Sequence, residues 1–186
     1  MAGADRADAA AIAAVLAFWQ EAGPERWFGK DDAFDARFKA THLDDHMAAA
    51  ARRCDRWADT AEGALALLIL LDQFPRNAFR GTAHMYATDP LARMFSHRVV
   101  AAGLDQQVEP ALRTFFYLPL MHSEALADHD ACVALYEKLG GPSLPFARHH
   151  RDIVVRFGRF PHRNALLGRD STPAELAFLE EGGFAG

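Results

Sequence analysis

Cysteine, lysine and long apolar runs are all scarce in this chain of 186 residues. The two cysteines, Cys54 and Cys132, stand 78 positions apart and form no CxxC pair, which excludes a disulfide framework and a cysteine-based zinc site. The apolar stretch 64–71 has far fewer residues than the roughly 20 that cross a bilayer as a helix. No basic segment precedes the apolar stretch 9–19, so we expect no signal peptide. These absences predict a cytoplasmic protein that does not enter a membrane.

An excess of positive charge is also missing, because the formal net charge is −5. Such a chain has no general attraction to nucleic acid or anionic lipid, so we do not expect nucleic acid as a partner. Hydrophobic residues make up 51% of the chain, which excludes disorder and suffices for a sizeable core. The length predicts one domain that spans residues 1–186.

The signatures of common catalytic sites are absent as well. The sequence contains no Walker loop, dinucleotide glycine fingerprint, nucleophile elbow or kinase signature. His42 and His46 have the spacing of a zinc-binding helix but lack the glutamate of a metalloprotease, and we interpret them as part of an exposed helix face. We therefore expect no cofactor and no metal site.

Helix signals, by contrast, occur along the whole chain. Asp31, Thr60 and Thr172 are good N-cap residues, and Pro75 and Pro119 predict helix ends because the residue before proline avoids helical angles. The stretch 64–71 is apolar on every side, which is typical of a central, buried helix. Residues 153–155 also fit a short strand, but no partner strand is visible, so helix is favoured. The pattern predicts an all-α protein of seven to nine antiparallel helices, near 8–20, 31–52, 59–74, 89–103, 109–118, 123–139, 146–157 and 172–179.

Two similar segments follow apolar helices, and we call them the corners. The first corner is Phe-Pro-Arg-Asn-Ala at 74–78, and the second corner is Phe-Pro-His-Arg-Asn-Ala at 160–165. We predict that the two corners lie side by side in one core. Asp72 precedes the first corner at the end of the most apolar helix, where an unpaired carboxylate would be strongly destabilising. Its predicted partner is Arg76, Arg159 or Arg163, in either a structural ion pair or a ligand site.

Arginine is concentrated around the second corner. Residues 148–169 contain six arginines and three histidines against a single acid, Asp152, which gives a formal charge of +5. Guanidinium groups hold carboxylates and phosphates through two parallel hydrogen bonds, but such a cluster also forms solvated faces and structural networks. Both interpretations stay open at this point. The residues predicted to bind an anionic small molecule or an acidic peptide are Asp72, Arg76, Asn77, Arg159, Arg163, Asn164 and Arg169.

Three residues with chemically active side chains follow one another at His122, Ser123 and Glu124. Neighbouring side chains at a helix start diverge, so we interpret Ser123 as a helix cap rather than a nucleophile. His122 and Glu124, together with His150, are the candidate general acids and bases. With Asp152 they are also residues of metal-ligating types, a weaker alternative.

Three motifs carry a resemblance to a known family. They are LLDQFPRN at 70–77, LPLMHSE at 118–124, and RFGRFPHRN at 156–164 with LGR at 167–169. In these motifs the chain resembles a widespread, mainly bacterial family catalogued as domain of unknown function 924. The similarity extends from VLAFW at 15–19 to the terminal helix. The resemblance implies an all-helical fold grouped with tetratricopeptide-like superhelices, and it implies no activity.

Two functions of different classes are consistent with the sequence. The first is a binding module whose helices present a basic corner to a carboxylate, a phosphate or an acidic peptide. The second is a small-molecule enzyme, such as a hydrolase, in which arginines hold an anionic substrate while His122, Glu124 or His150 transfers protons. We favour binding, because neither a nucleophile nor a metal cage is recognisable. The sequence leaves the oligomeric state open.

Overall fold

Helices form the regular secondary structure throughout residues 2–184, which are the residues that this computed structural model describes, with side chains from residue 5 onward. No strand occurs in that range, and residues 153–155 lie within a helix, so the predicted all-α class is confirmed. The α-helices are α1 (Ala2–Ala22), α2 (Pro24–Trp27), α3 (Asp32–Ala50), α4 (Ala61–Leu68), α5 (Phe74–Ala78), α6 (Asp89–Ala101), α7 (Pro110–Met121), α8 (Leu126–Leu139), α9 (Leu144–Phe157) and α10 (Pro173–Glu180).

A π-helical turn at Ile69–Gln73 joins α4 to α5 without a break. With these three segments counted as one helix, the described residues form nine helices, within the predicted seven to nine. None of these helices in residues 2–184 is both long and apolar enough to cross a bilayer. Short 3-10 turns occupy Asp55–Asp59, Ala83–Tyr86, Leu104–Gln107 and Pro161–Arg163.

Internal contacts divide the chain into two compact units. Among the described residues, the first unit contains 2–80 and 84–119, and α4 lies at its centre, in contact with α1, α6 and the 3-10 turn Asp55–Asp59. All residues of 64–71 are buried there, as the sequence predicts. The described part of the second unit contains residues 81–83 and 120–184, and in it α8 packs along α9. The single domain, the superhelical arrangement and the adjacency of the two corners stay predictions.

Three of the predicted N-caps, Asp31, Thr60 and Thr172, are present. The Asp31 carboxylate accepts hydrogen bonds from the backbone N–H groups of Ala33 and Phe34, both at 3.0 Å. Thr60 accepts from the third residue of its helix, and Thr172 forms a full capping box with Glu175. These caps need only a few neighbouring residues, which is why the sequence alone reveals them.

Pro75 does not end its helix, contrary to the prediction. Pro75 has no N–H that could donate to a carbonyl group one turn earlier. The residues just before it form the π turn Ile69–Gln73, and Pro75 itself lies in α5. Thr88 Oγ1 donates to the Leu71 carbonyl at 2.6 Å, and His46 Nδ1 donates to the Leu70 carbonyl at 2.9 Å. A side chain of α3 and the side chain of the residue before α6 thus replace the missing backbone donors and let the helix continue into the first corner.

Pro119 likewise lies inside α7 rather than breaking it. Ser96 of α6 donates its hydroxyl proton to the Phe116 carbonyl, in the turn that precedes Pro119. The carbonyl that loses its backbone donor at Pro119 is that of Phe115, four residues earlier, so the Ser96 hydrogen bond ties α6 to the neighbouring turn of α7 but does not replace the missing N–H.

His42 and His46 are buried rather than exposed, so the prediction of an exposed helix face is wrong. His42 lies at a kink in α3 and its ring packs edge-on against Phe18, 5.2 Å away. The His46 ring stacks on Phe74 at 4.8 Å, and burial lowers the pKa of His46. Both rings face the aromatic core because α3 packs against α5 and the π turn.

Candidate functional site

Asp72 lies in the π turn directly before the first corner, with only 1% of its side chain exposed. Arg76 Nη1 is 3.3 Å from Asp72 Oδ1 and also donates to the Asp72 carbonyl at 2.7 Å. Gln73 Nε2 donates to Asp72 Oδ2 at 2.6 Å. Of the three predicted partners of Asp72, Arg76, the one nearest in sequence, therefore forms an ion pair with it.

The guanidinium of Arg76 contacts a second carboxylate. Its Nη1 and Nη2 donate to Asp89 Oδ1 and Oδ2 at 2.9 and 3.0 Å, a two-point pair with the first residue of α6. Burial alone would lower the pKa of Arg76, but Asp72 and Asp89 outweigh burial and raise this pKa above its ordinary value. Arg76 thus holds the π turn to the start of α6.

Asn77 binds a carboxylate that the sequence analysis did not select. Its Nδ2 donates to Asp35 Oδ1 at 2.6 Å, and Arg80 donates to Asp35 Oδ2 through Nε and Nη2 at 3.1 and 3.0 Å. Asp35 belongs to α3, 42 residues from Asn77. The only hint in the sequence is that Asp35 adjoins Phe34 at the start of a helix face that turns out to be buried.

The second corner is bound to the segment before α8. Arg169 donates to Glu124 through Nη1 at 2.7 Å and through Nη2 at 2.9 Å. Glu124 also accepts from the Phe160 backbone N–H at 2.8 Å. Burial would raise the pKa of Glu124, but Arg169 and the Phe160 N–H lower it further than burial raises it. Glu124 is therefore an ionised partner of Arg169 rather than a proton donor at neutral pH.

The side chains of Asn164 and Arg163 form hydrogen bonds with other residues of the second unit. Asn164 Oδ1 accepts from Arg169 Nε at 2.9 Å, and its Nδ2 donates to the Ser171 hydroxyl at 3.0 Å. Arg163 Nη2 donates to the His122 carbonyl at 2.9 Å, and its guanidinium carbon lies 4.7 Å from the centre of the Phe160 ring. Both residues are buried and hold the second corner in place.

Arg159 forms a two-point pair with Glu175 of α10. Nε and Nη2 donate to the two carboxylate oxygens at 2.6 and 2.8 Å, and Nη2 also donates to the Asp170 carbonyl at 2.7 Å. The hydrogen bond from Arg159 is the main reason that the pKa of Glu175 falls to about 2. Two more arginines of the cluster, Arg148 and Arg151, pair with Glu137 and Asp130 of α8. Most of the cluster is thus a structural network.

Three neutral histidines surround Phe160 in the second unit. The rings of His129, His150 and His162 lie 5.6 to 5.8 Å from the Phe160 ring centre. Burial lowers the pKa of His150 to about 4 and that of His162 to about 3, and it also lowers the pKa of His129. His150 Nδ1 donates to the Phe146 carbonyl at 2.8 Å, which leaves the lone pair on Nε2.

The candidate catalytic residues do not assemble into a nucleophilic site. The Ser123 hydroxyl donates to Asp128 and accepts from the Ala125 N–H, and α8 begins only at Leu126, so Ser123 supports the turn but is not the N-cap of α8. His129 Nε2 donates to the Ser123 carbonyl at 2.7 Å and not to its hydroxyl. Within residues 5–184 no group of three or more His, Cys, Asp or Glu side chains is arranged to hold a metal ion.

Comparison with known proteins agrees with the motifs. A family model described as "Bacterial protein of unknown function (DUF924)" matches residues 15–183. A solved structure of a protein of unknown function, ATU0120 from Agrobacterium tumefaciens, is 55% identical and superposes with a TM-score of 0.91, covering 94% of this chain and 99% of that one. No curated protein matches the chain. The chain belongs to the bacterial DUF924 family.

Proposed function

We propose that the protein is a binding module that holds an anionic group, a carboxylate or a phosphate, between Arg156 and Arg159. The observation that carries this proposal is that both guanidinium groups lie over the same face of α10. Arg159 pairs with Glu175, and the Arg156 guanidinium carbon lies 5.5 Å from the centre of the Phe178 ring. Glu175 and Phe178 are three residues apart on α10 and are therefore surface neighbours, so the two guanidinium groups contact adjacent positions of this helix.

Hydrogen-bond donors remain available on both side chains. Arg159 uses Nε and Nη2 toward Glu175 and Asp170, whereas its Nη1 donates to no residue in the part of the chain that the structure describes. Arg156 is exposed and donates to no described residue, yet its position is fixed by stacking, 4.6 Å from the Phe157 ring centre. Preorganised guanidinium groups bind oxyanions well, because little conformational entropy is lost on binding.

This site differs in part from the one predicted from the sequence. Arg163, Asn164 and Arg169 were predicted ligand residues, but they donate to groups of the same unit. Arg159 stays in the proposed site, and Arg156 joins it. Binding is preferred to catalysis because Glu124 is ionised and paired, and because the Ser123 hydroxyl is bonded to Asp128.

The test compares sodium phosphate with sodium chloride at equal ionic strength, which removes general screening effects. An anion that binds the folded state alone raises the melting temperature, so phosphate should raise it and chloride should not. Arg156→Gln should abolish this rise and leave the stability without phosphate unchanged. Arg148→Gln, a change at another exposed arginine of α9, is the matched control and should keep the rise.

Two further measurements define the ligand. An acidic peptide with a free C-terminal carboxylate, titrated by calorimetry in the same ionic strength, distinguishes a peptide ligand from free phosphate. Either ligand should compete with the other if both use Arg156. A phosphate-specific rise that survives Arg156→Gln, or the absence of any effect of both anions on the parent protein, would refute the proposal.

A further inference from the structure

An open groove of about 630 Å³ runs along one face of α1 in the first unit. Its floor is apolar: Ile12 and Leu16 are half-buried, and Trp57 of the 3-10 turn Asp55–Asp59 closes one side. The groove extends along α1 from Asp5 to Gln20, which is about 22 Å or four helical turns. A groove of this length fits a helix laid along α1 better than a compact small molecule.

Small residues on α1 allow a close approach. Ala9, Ala13 and Ala17 follow one another at intervals of four residues, so they form a single stripe, and all three are exposed. A helix against such a stripe can bring its backbone near that of α1 while its larger side chains contact Ile12 and Leu16. The stripe therefore provides room for the backbone of the occupant, and the floor provides apolar contacts.

The rim of the groove is acidic, with Asp5, Asp8, Asp59 and Glu62 against one lining cation, Arg56. Arg98 of α6 lies outside the lining but pairs with Asp59, so four carboxylates face two cations. Arg56 pairs with both Asp5 and Asp8. The hydrogen bond that Arg56 donates to Asp8 lowers the pKa of Asp8. Glu62 forms no ion pair with any residue between 5 and 184. The rim thus carries an excess of negative charge and favours an occupant with lysine or arginine side chains.

We propose that this groove docks a basic amphipathic helix of a partner protein. The apolar face of that helix would lie against Ile12, Leu16 and the alanine stripe, and its basic residues would face the acidic rim. A second copy of this chain fits less well, because a symmetric dimer through α1 would bring the acidic rim against itself. The groove shares no residue with the proposed anion site at Arg156 and Arg159, so the two proposals can fail independently.

The test uses an 18-residue peptide, capped at both ends, with leucine at helical i, i+3, i+4 and i+7 spacing and lysine at the other positions. Its control peptide has the same leucines and glutamate in place of lysine. Binding to the ¹⁵N-labelled protein is followed by NMR, in which the indole N–H of Trp57 reports on the groove, and those of Trp19 and Trp27 serve as internal references. The lysine peptide should bind saturably and shift the Trp57 signal, with an affinity that falls as salt rises.

Two variants decide whether binding occurs in the groove. Ala13→Trp fills the groove and Glu62→Lys reverses charge on its rim, and each should weaken the lysine peptide about tenfold or more. Asp44→Lys, an equal charge change at an exposed position of α3, is the matched control and should leave the affinity nearly unchanged.

Several outcomes would overturn the proposal. They are no binding of the lysine peptide at low salt, equal binding by Ala13→Trp, or equal binding of the glutamate peptide. Sedimentation provides the remaining check: a parent protein that is dimeric and becomes monomeric in Ala13→Trp would assign the groove to a second copy of the chain instead.

Discussion

Arg169 and Glu124, 45 residues apart in sequence, meet in a two-point ion pair with N–O distances of 2.7 and 2.9 Å. The same carboxylate accepts the Phe160 N–H, and the same guanidinium donates to the Phe160 carbonyl at 3.2 Å. The pair therefore fixes both the backbone of the second corner and the segment before α8. Its geometry is that of a structural clamp, in which each charge satisfies the other.

Replacing Arg169 by methionine should destabilise the protein by about 2–4 kcal/mol, because a half-buried carboxylate loses its partner. Chemical denaturation measures the loss. Arg148→Met removes an exposed pair with Glu137 and should change stability by less than about 1 kcal/mol. Equal losses in the two variants would contradict the assignment of Arg169 as a half-buried structural clamp.

Thr88→Val should destabilise the protein by about 1–3 kcal/mol, because the buried Leu71 carbonyl loses the hydroxyl donor that replaces the missing N–H of Pro75. The two side chains have nearly the same shape, so packing is conserved. Thr88→Ser keeps the hydroxyl and is the control for the hydrogen bond. Urea denaturation should show a larger loss for valine than for serine, and the reverse order would refute the role given to Thr88.

Stability should fall as the pH decreases below about 6.5. Burial lowers the pKa of folded His150 to about 4 and of folded His162 to about 3, so the unfolded chain binds more protons than the folded chain between these values and 6.5. Above pH 6.5 the contribution of these histidines to the free energy of unfolding is at its full value. As the pH falls below 6.5, each histidine lowers the free energy of unfolding by up to about 1.4 kcal/mol per pH unit.

Denaturation curves recorded from pH 7 to pH 5 test this window. Glu175, with a pKa near 2, adds to the same slope only below pH 4.5, so its effect is separated by pH. His150→Gln should flatten the slope between pH 6.5 and 5. An unchanged slope in this variant would show that His150 is not held neutral by the fold.

Neither cysteine should react with a thiol reagent in the native protein. Burial raises the pKa of the Cys132 thiol to about 12 and also raises that of Cys54. Both side chains are buried, with Cys132 fully inaccessible. Mass spectrometry after alkylation should find no adduct in native buffer and two in denaturant. Rapid native alkylation of either residue would indicate local opening around it.

The sequence predicts the elements that depend on neighbouring residues and fails where distant residues intervene. Asp31, Thr60 and Thr172 are recognisable because a cap and its N–H partners lie within three or four positions. The Asp72–Arg76 pair is equally local. Pro75 and Pro119 both lie inside helices, contrary to the prediction. At Pro75 the donor that replaces the missing N–H is the hydroxyl of Thr88, 17 residues from the Leu71 carbonyl that it serves.

The site is predicted less completely than the fold. The arginine cluster is visible in the sequence, but which carboxylate pairs with each arginine depends on tertiary packing. Glu175 lies 16 residues from Arg159, and Asp89 lies 13 residues from Arg76. The buried state of His42 and His46 was missed for the same reason, because the spacing of two histidines does not reveal which face of α3 meets the core.

The π turn at Ile69–Gln73 also has a consequence for how homologous chains align. A π turn holds one residue more than an α-turn, so the segment after it is rotated by about 100° from the direction that a regular helix would give. A homologue that lacks one residue between 69 and 73 would point its counterpart of Phe74 away from Phe38, whose ring lies 5.0 Å from it here. A one-residue gap at this place in an alignment would therefore indicate a homologue whose first corner cannot face the same core, even where the flanking residues are identical.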